Sequence, residues 1–199
     1  AYDEIKTLME NINALNGGDE IGAWLLGDWT TQDQEATLLI DQVIIPKQKV
    51  SRAEVDISPE SMTDTIKEIG PTQCNRIKAH WHIHPFGKGP THWSAIDEQK
   101  ISDFMHPQKQ RNIFVFLLSS EDTIKARVEL NLTTKLFDQP FTIQQSFDDL
   151  TVQRGPQSVN DSLLKKLKQR IEAKVEKTFY QTKYDYDDAW WKKDEEYYN

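Results

Sequence analysis

The stretch Arg76-Ile77-Lys78-Ala79-His80-Trp81-His82-Ile83-His84-Pro85 decides how the rest of the chain is read. Ile77, Ala79, Trp81 and Ile83 alternate with Lys78, His80, His82 and His84. That period-two pattern predicts a strand with one face in the core. Alternate side chains share a face, so His82 and His84 stand roughly 6.6 Å apart along the strand. Two imidazoles at that spacing can converge on one ion, and neutral imidazole is the commonest metal ligand. The bare pair also fits two ordinary strand histidines.

Downstream, Phe86 to Trp93 reads as a loop containing Gly87, Gly89 and Pro90. Ser94-Ala95-Ile96-Asp97 then opens a helix over Ser94–Met105. Ser94 with Asp97 three residues on matches a capping box, which is a structural reason for both residues. The same turn of helix, following a strand and a loop, aims Asp97 back toward the strand's end. Ser-x-x-Asp therefore favours the metal reading of the histidine pair. Two imidazoles and one carboxylate leave a fourth coordination place for water, as catalytic zinc sites do.

Outward from this centre, Ile5, Leu8, Met9, Ile12 and Leu15 predict a helix ended by Asn16-Gly17-Gly18. Strands are expected at Ile21–Trp29, Glu35–Ile45 and Gln48–Ile57. The second is nearly continuous in apolar residues and is expected to be buried on both faces. Ser58-Pro59-Glu60 starts a helix running to about Gly70-Pro71. Asn112–Ser119 and Thr123–Leu130 form a strand pair, with strands continuing to about Ser146. Strands and helices are interspersed, so the class is α/β. Residues 1–150 form the main domain, and 151–199 are a C-terminal helix and an acidic-aromatic tail. Leu163, Leu164, Leu167, Ile171, Val175 and Phe179 make a helical stripe, read as one helix over Asp161–Tyr180.

The chain has 199 residues with a net charge of −8, and its mean hydropathy is −0.69. No clustered Lys and Arg offer a surface to phosphates, so no nucleic-acid partner is expected. A domain of this size buries a sufficient core without disulfides or a structural metal. Cys74 is the one cysteine, so no intrachain disulfide forms; it is expected to be a small buried apolar residue. No apolar run reaches the roughly 18 residues of a membrane span, and Ala1–Ile5 has no signal-peptide pattern. The expected location is cytoplasmic, with no membrane partner.

His82-x-His84-Pro85, a loop and Ser94-x-x-Asp97 together resemble the JAMM motif of the MPN+ zinc metalloproteases. Glu20-Ile21-Gly22-Ala23-Trp24-Leu25-Leu26-Gly27, upstream, is similar to the segment in which that family carries its glutamate. The resemblance covers roughly residues 1–150. Within the family it is nearest to the proteasome-lid deubiquitinase and its archaeal relatives. It implies a central curved mixed β-sheet flanked by helices, plus a C-terminal helix. It implies one Zn²⁺ per chain on His82, His84 and Asp97. Glu20 then corresponds to the acid/base and Ser94 to the donor for the oxyanion. Implied partners are ubiquitin or a ubiquitin-like protein, and an MPN partner, a proteasome-like complex or a homodimer through the C-terminal helix. Twelve residues separate His84 from Asp97, two more than the family pattern, which changes the loop but removes no ligand.

The implied reaction is hydrolysis of the isopeptide bond between a modifier and a lysine, or of a modifier precursor. Two alternatives stand beside it: a JAMM peptidase for a sulfur-carrier or small-molecule substrate, and a non-catalytic MPN scaffold. His80 shares the strand face of His82 and is expected beside the ligands rather than among them. His92 is expected to be an exposed loop residue, and His106 sits after a helix end. No second zinc is expected. Trp93 and Phe86 either line a substrate groove or pack.

Overall fold

The computed structural model describes residues 1–85, 92–106, 111–120, 123–136, 139–148, 150–153 and 161–178. In chain order these form α1 (Tyr2–Asn16), β1 (Ile21–Gln32), β2 (Glu35–Ile44), β3 (Gln48–Val50), β4 (Val55–Asp56), α2 (Pro59–Ile69) and α3 (Pro71–Cys74). There follow β5 (Ile77–Ile83), α4 (Ala95–Phe104), β6 (Ile113–Ser119), β7 (Ile124–Leu136), β8 (Gln139–Phe147), α5 (Asp161–Lys174) and β9 (Val175–Lys177). Phe86, Phe179 and the tail 183–199 lie outside the described residues. No helix of the described residues is long and apolar enough to cross a membrane.

Six strands make a mixed sheet in the order β2-β1-β5-β6-β7-β8. Every neighbouring pair is antiparallel except β5 and β6. A parallel pair needs a crossover connection, and here the crossover carries α4. The chain is thus an α/β protein with helices on both faces of a central mixed sheet. On one face Leu8 and Ile12 of α1 and Leu167 and Ile171 of α5 join Ile21, Leu25, Trp81 and Ile83 in one buried cluster. On the other, Trp24, Leu26, Phe114 and Phe116 meet Ile101 and Met105 from α4 and its end. Each such buried side chain contributes about 1.5–3 kcal/mol.

Several expectations change in three dimensions. Gln48–Ile57 is not one strand but a hairpin of β3 and β4. The Ser51 N–H donates to the Glu54 carbonyl at 2.9 Å and Ser51 Oγ accepts from the Ala53 N–H at 3.2 Å, so a serine turn replaces continued extension. β2 is not buried on both faces: it is an edge strand, its Leu39 is 58% exposed, and only Val43 and Ile44 are buried. An apolar run says nothing about how many neighbours a strand acquires. Ile77 leaves the face of Ala79, Trp81 and Ile83. Leu25 pairs with Ala79 and Leu26 with Ile77, so Lys78 is an extra residue in a bulge, and Ile77 packs against the second cluster. The C-terminal helix stops at Lys174, because Val175–Lys177 pairs in parallel with β3. Cys74 is half-buried rather than buried.

Two local devices position β1. Gln48 is buried and acts as a surrogate strand: its Oε1 accepts from the Gly22 N–H at 2.8 Å, and its Nε2 donates to the Gly22 carbonyl at 2.9 Å. Further along, β1 passes β2 so closely that a Cβ on Gly27 would lie 2.2 Å from the Leu39 carbonyl oxygen.

Candidate metal centre

Four side chains from three places converge at the carboxyl end of β5. His82 is buried near the end of the strand, on the face opposite Ala79, Trp81 and Ile83, and His84 follows the strand, held by donation of its N–H to the Ser119 carbonyl at 2.8 Å. Asp97 arrives on the first turn of α4. Glu20 precedes β1, its N–H donating to the Ser51 carbonyl at 2.9 Å and its carbonyl accepting from Asn16 Nδ2 at 3.1 Å.

Distances define one cluster. His82 Nε2 and His84 Nε2 are 3.2 Å apart. Asp97 Oδ1 lies 3.1 Å from His82 Nε2, and Oδ2 lies 3.3 Å from His84 Nε2. Glu20 Oε1 lies 3.6 Å from His84 Nε2. Glu20, His82 and His84 present donor atoms all within 4.8 Å of one another, a set able to hold a metal ion. Asp97 touches both imidazoles while Glu20 reaches one, from farther away. Both carboxylates thus stand beside the imidazole pair, Asp97 the nearer.

Donor chemistry supports a cation at the centre. Two carboxylates concentrate negative charge beside the two imidazole nitrogens, a charge that a cation would offset. Donors on a tetrahedron about 2.0 Å from its centre stand about 3.3 Å apart, which is how zinc holds nitrogen and oxygen. The 3.2 Å between the two Nε2 atoms is of that size, while Asp97 turns a different oxygen to each imidazole, at 3.1 and 3.3 Å.

Electrostatics divide the roles. Burial pushes the His82 imidazole down despite Asp97, which favours the neutral form, the one that binds a metal. His84 is also penalised by burial, but its bond to Asp97 and the charge of Glu20 win and push it up. Burial opposes ionisation of Asp97, yet hydrogen bonds from His82 and His84, and from the Ser94 N–H, hold it well below the usual carboxylate range. Burial pushes Glu20 up to about 7, with His84 pulling down and Asp97 pushing up. A carboxyl that exchanges its proton near neutrality suits a general acid/base.

Ser94 caps α4. Its Oγ accepts from the Asp97 N–H at 3.1 Å, and its own N–H donates to Asp97 Oδ2 at 2.7 Å. The capping and ligand readings of Asp97 hold together. His80 lies beside the donors, its ring 5.7 Å from that of His82 and 4.9 Å from that of Trp24. His92 and His106 are exposed. Trp93 is half-buried, 6.1 Å ring to ring from His82.

A cavity of about 510 Å³ opens beside the cluster; Trp93, a residue expected either to line a groove or to pack, lines it, and sequence reading missed its other walls, Trp24, Phe104, Phe116 and Arg111. A signal existed, since Glu20, Gly22 and Trp24 alternate onto one face. No family model matches the chain, and no match to a curated protein is found.

Proposed function

We propose that this chain is a zinc-dependent amide hydrolase of the JAMM, or MPN+, type, with the MPN fold. Its reaction is hydrolysis of the isopeptide bond between ubiquitin or a ubiquitin-like modifier and a lysine, and its chemistry extends to modifier precursors. The observation that carries the reading is the meeting of buried His82, Asp97 and Glu20 with half-buried His84 in one cluster. The JAMM-like order of these residues along the chain supports it.

His82, His84 and Asp97 would hold the ion. Zinc bound there supplies Lewis acidity, lowering the pKa of water toward about 7 and polarising a carbonyl. Glu20 takes a proton from water as the new C–O bond forms, and returns it to the nitrogen as the C–N bond breaks. Amide and water become carboxylic acid and amine, with no oxidant and no covalent enzyme intermediate. Ser94 Oγ accepts from the Asp97 N–H, which leaves its hydroxyl proton to donate to the developing oxyanion. The modifier's extended C-terminal tail adds as a strand beside the site.

The test is metal analysis paired with cleavage of a ubiquitin-like fusion. The wild-type chain is expected to carry about one zinc and to cleave. His82→Ala loses the ion, whereas Glu20→Gln keeps it and loses turnover. Full zinc in His82→Ala, or undiminished cleavage by Glu20→Gln, sinks the reading. A scaffold would bind zinc and cleave nothing; a small-molecule peptidase would spare the fusion.

A further inference from the structure

We propose that the cavity beside the cluster is the pocket for the departing amine, and that in the modifier-precursor reaction it selects a large apolar residue on the nitrogen side of the cleaved α-peptide bond. This rests on the hydrolase reading above and names the substrate class of that same site.

Position argues first. Glu20, His82 and Asp97 line the cavity, while Ser94 and His84 do not. Glu20 hands its proton to the leaving nitrogen, so the nitrogen's substituent lies on the side of Glu20. Ser94 serves the carbonyl oxygen and is absent from this wall. The cavity therefore continues from the leaving-group side of the cluster.

The walls argue second. Aromatic rings run inward from His80: Trp24 at 4.9 Å, then Phe104 stacked 5.8 Å beyond it, with Phe116 edge-on to Phe104 at 5.7 Å. Val55 and Met62 also line the space. Among the described residues, the two cations of the lining, Lys100 and Arg111, are engaged with wall groups. Lys100 Nζ pairs with Glu54 at 2.8 Å and donates to the Val55 carbonyl at 2.6 Å. The Arg111 guanidinium lies 3.8 Å from the centre of the Phe104 ring and donates to the Phe104 carbonyl at 2.9 Å.

Size and desolvation argue third. About 510 Å³ falls within the range of ligand pockets and far exceeds what a glycine or alanine fills. An acidic side chain placed here would lose its hydration and face Glu54, Asp56 and Asp103 of the same lining. A large apolar or aromatic side chain loses nothing and covers the rings.

The experiment uses the zinc-loaded full chain and fusions identical except for the residue after the cleaved bond: Phe, Leu, Gly or Asp. Binding of L-phenylalaninamide and glycinamide, followed by calorimetry, reads the pocket without turnover. Ala53 is exposed in the β3–β4 turn and lines the cavity, so Ala53→Trp fills the entrance with little risk to folding. Met62→Ala widens the opposite limit. The expected result is a kcat/KM about ten- to hundredfold higher for Phe than for Gly, with Asp lowest. Ala53→Trp removes that preference and the phenylalaninamide binding while retaining cleavage of the Gly fusion, and Met62→Ala shifts the preference toward Trp. Equal cleavage of all four fusions, or phenylalaninamide binding unchanged by Ala53→Trp, overturns the pocket. Phenylalaninamide binding that Ala53→Trp abolishes, with no fusion cleaved, upholds the pocket and overturns the hydrolase reading.

Discussion

The Ser94 N–H donates to Asp97 Oδ2 at 2.7 Å, and Oδ1 of the same carboxylate faces His82 Nε2 at 3.1 Å. A helix cap and a contact with His82 therefore use one side chain in one rotamer. Ser94→Ala separates the two. It removes the Oγ acceptor of the cap but keeps the backbone N–H that orients Asp97. Chemical denaturation should show a loss of about 1 kcal/mol. Zinc affinity should stay within a few-fold, while turnover falls about 10²- to 10³-fold if Ser94 serves the oxyanion.

Glu20→Gln should leave zinc bound and reduce kcat by about 10²- to 10⁴-fold. Because burial disfavours the Glu20 carboxylate, the neutral amide should not destabilise the metal-free fold above pH 7. Metal analysis, kinetics and a urea melt on the same preparation check all three.

Metal removal should cost stability by linkage. At a free zinc concentration a hundredfold above Kd, the ion stabilises by about 2.7 kcal/mol. Chelation should lower the thermal midpoint of wild type, and Asp97→Asn should show a much smaller difference with and without zinc.

In the metal-free protein, His80 and Glu20 should give opposite slopes of stability against pH. Burial, with His82, pushes His80 from 6.5 down to about 3, so the fold prefers it neutral. That contribution is complete above pH 6.5 and is lost as pH falls toward 3. Glu20 is pushed from 4.5 up to about 7, so its contribution is complete below pH 4.5 and is lost as pH rises toward 7. His82 moves in the same direction as His80, and His84 in the opposite one. Denaturation of His80→Phe should show stability falling with pH between 4.5 and 7, and Glu20→Gln should show it rising between 3 and 6.5. Identical pH profiles for both variants would defeat this account.

Gly27→Ala should destabilise by on the order of 3 kcal/mol, since its Cβ would strike the Leu39 carbonyl oxygen of β2. The strain lies in the β1–β2 hairpin, away from the cluster. Zinc stoichiometry measured at low temperature should be unchanged.

Much of the site is legible along the chain because its determinants are short-range. His82 and His84 share a face by strand alternation, and Ser94 and Asp97 are joined by the three-residue spacing of a cap. The helix α2 starts where Ser58 accepts from the Ser61 N–H with Pro59 behind it, as its sequence predicts. Glu20 is different. No local pattern ties it to the histidines; only resemblance pointed to it, and only the pairing of β1 with β5 brings it there.

The residue order alone determined the alternating histidine strand, the capped helix that follows it and the α/β class, because each rests on contacts within a few residues. Tertiary structure decided the rest. The Lys78 bulge depends on registering β5 against β1, the end of α5 on a parallel pairing of Val175–Lys177 with Gln48–Val50, and the exposure of β2 on its place at the sheet edge. The cavity beside Glu20 needs walls from β1, β4, α2, α4 and β6 at once. Such features arise from chain segments far apart in sequence, whose meeting is a property of the whole packed core and not of any one segment's pattern.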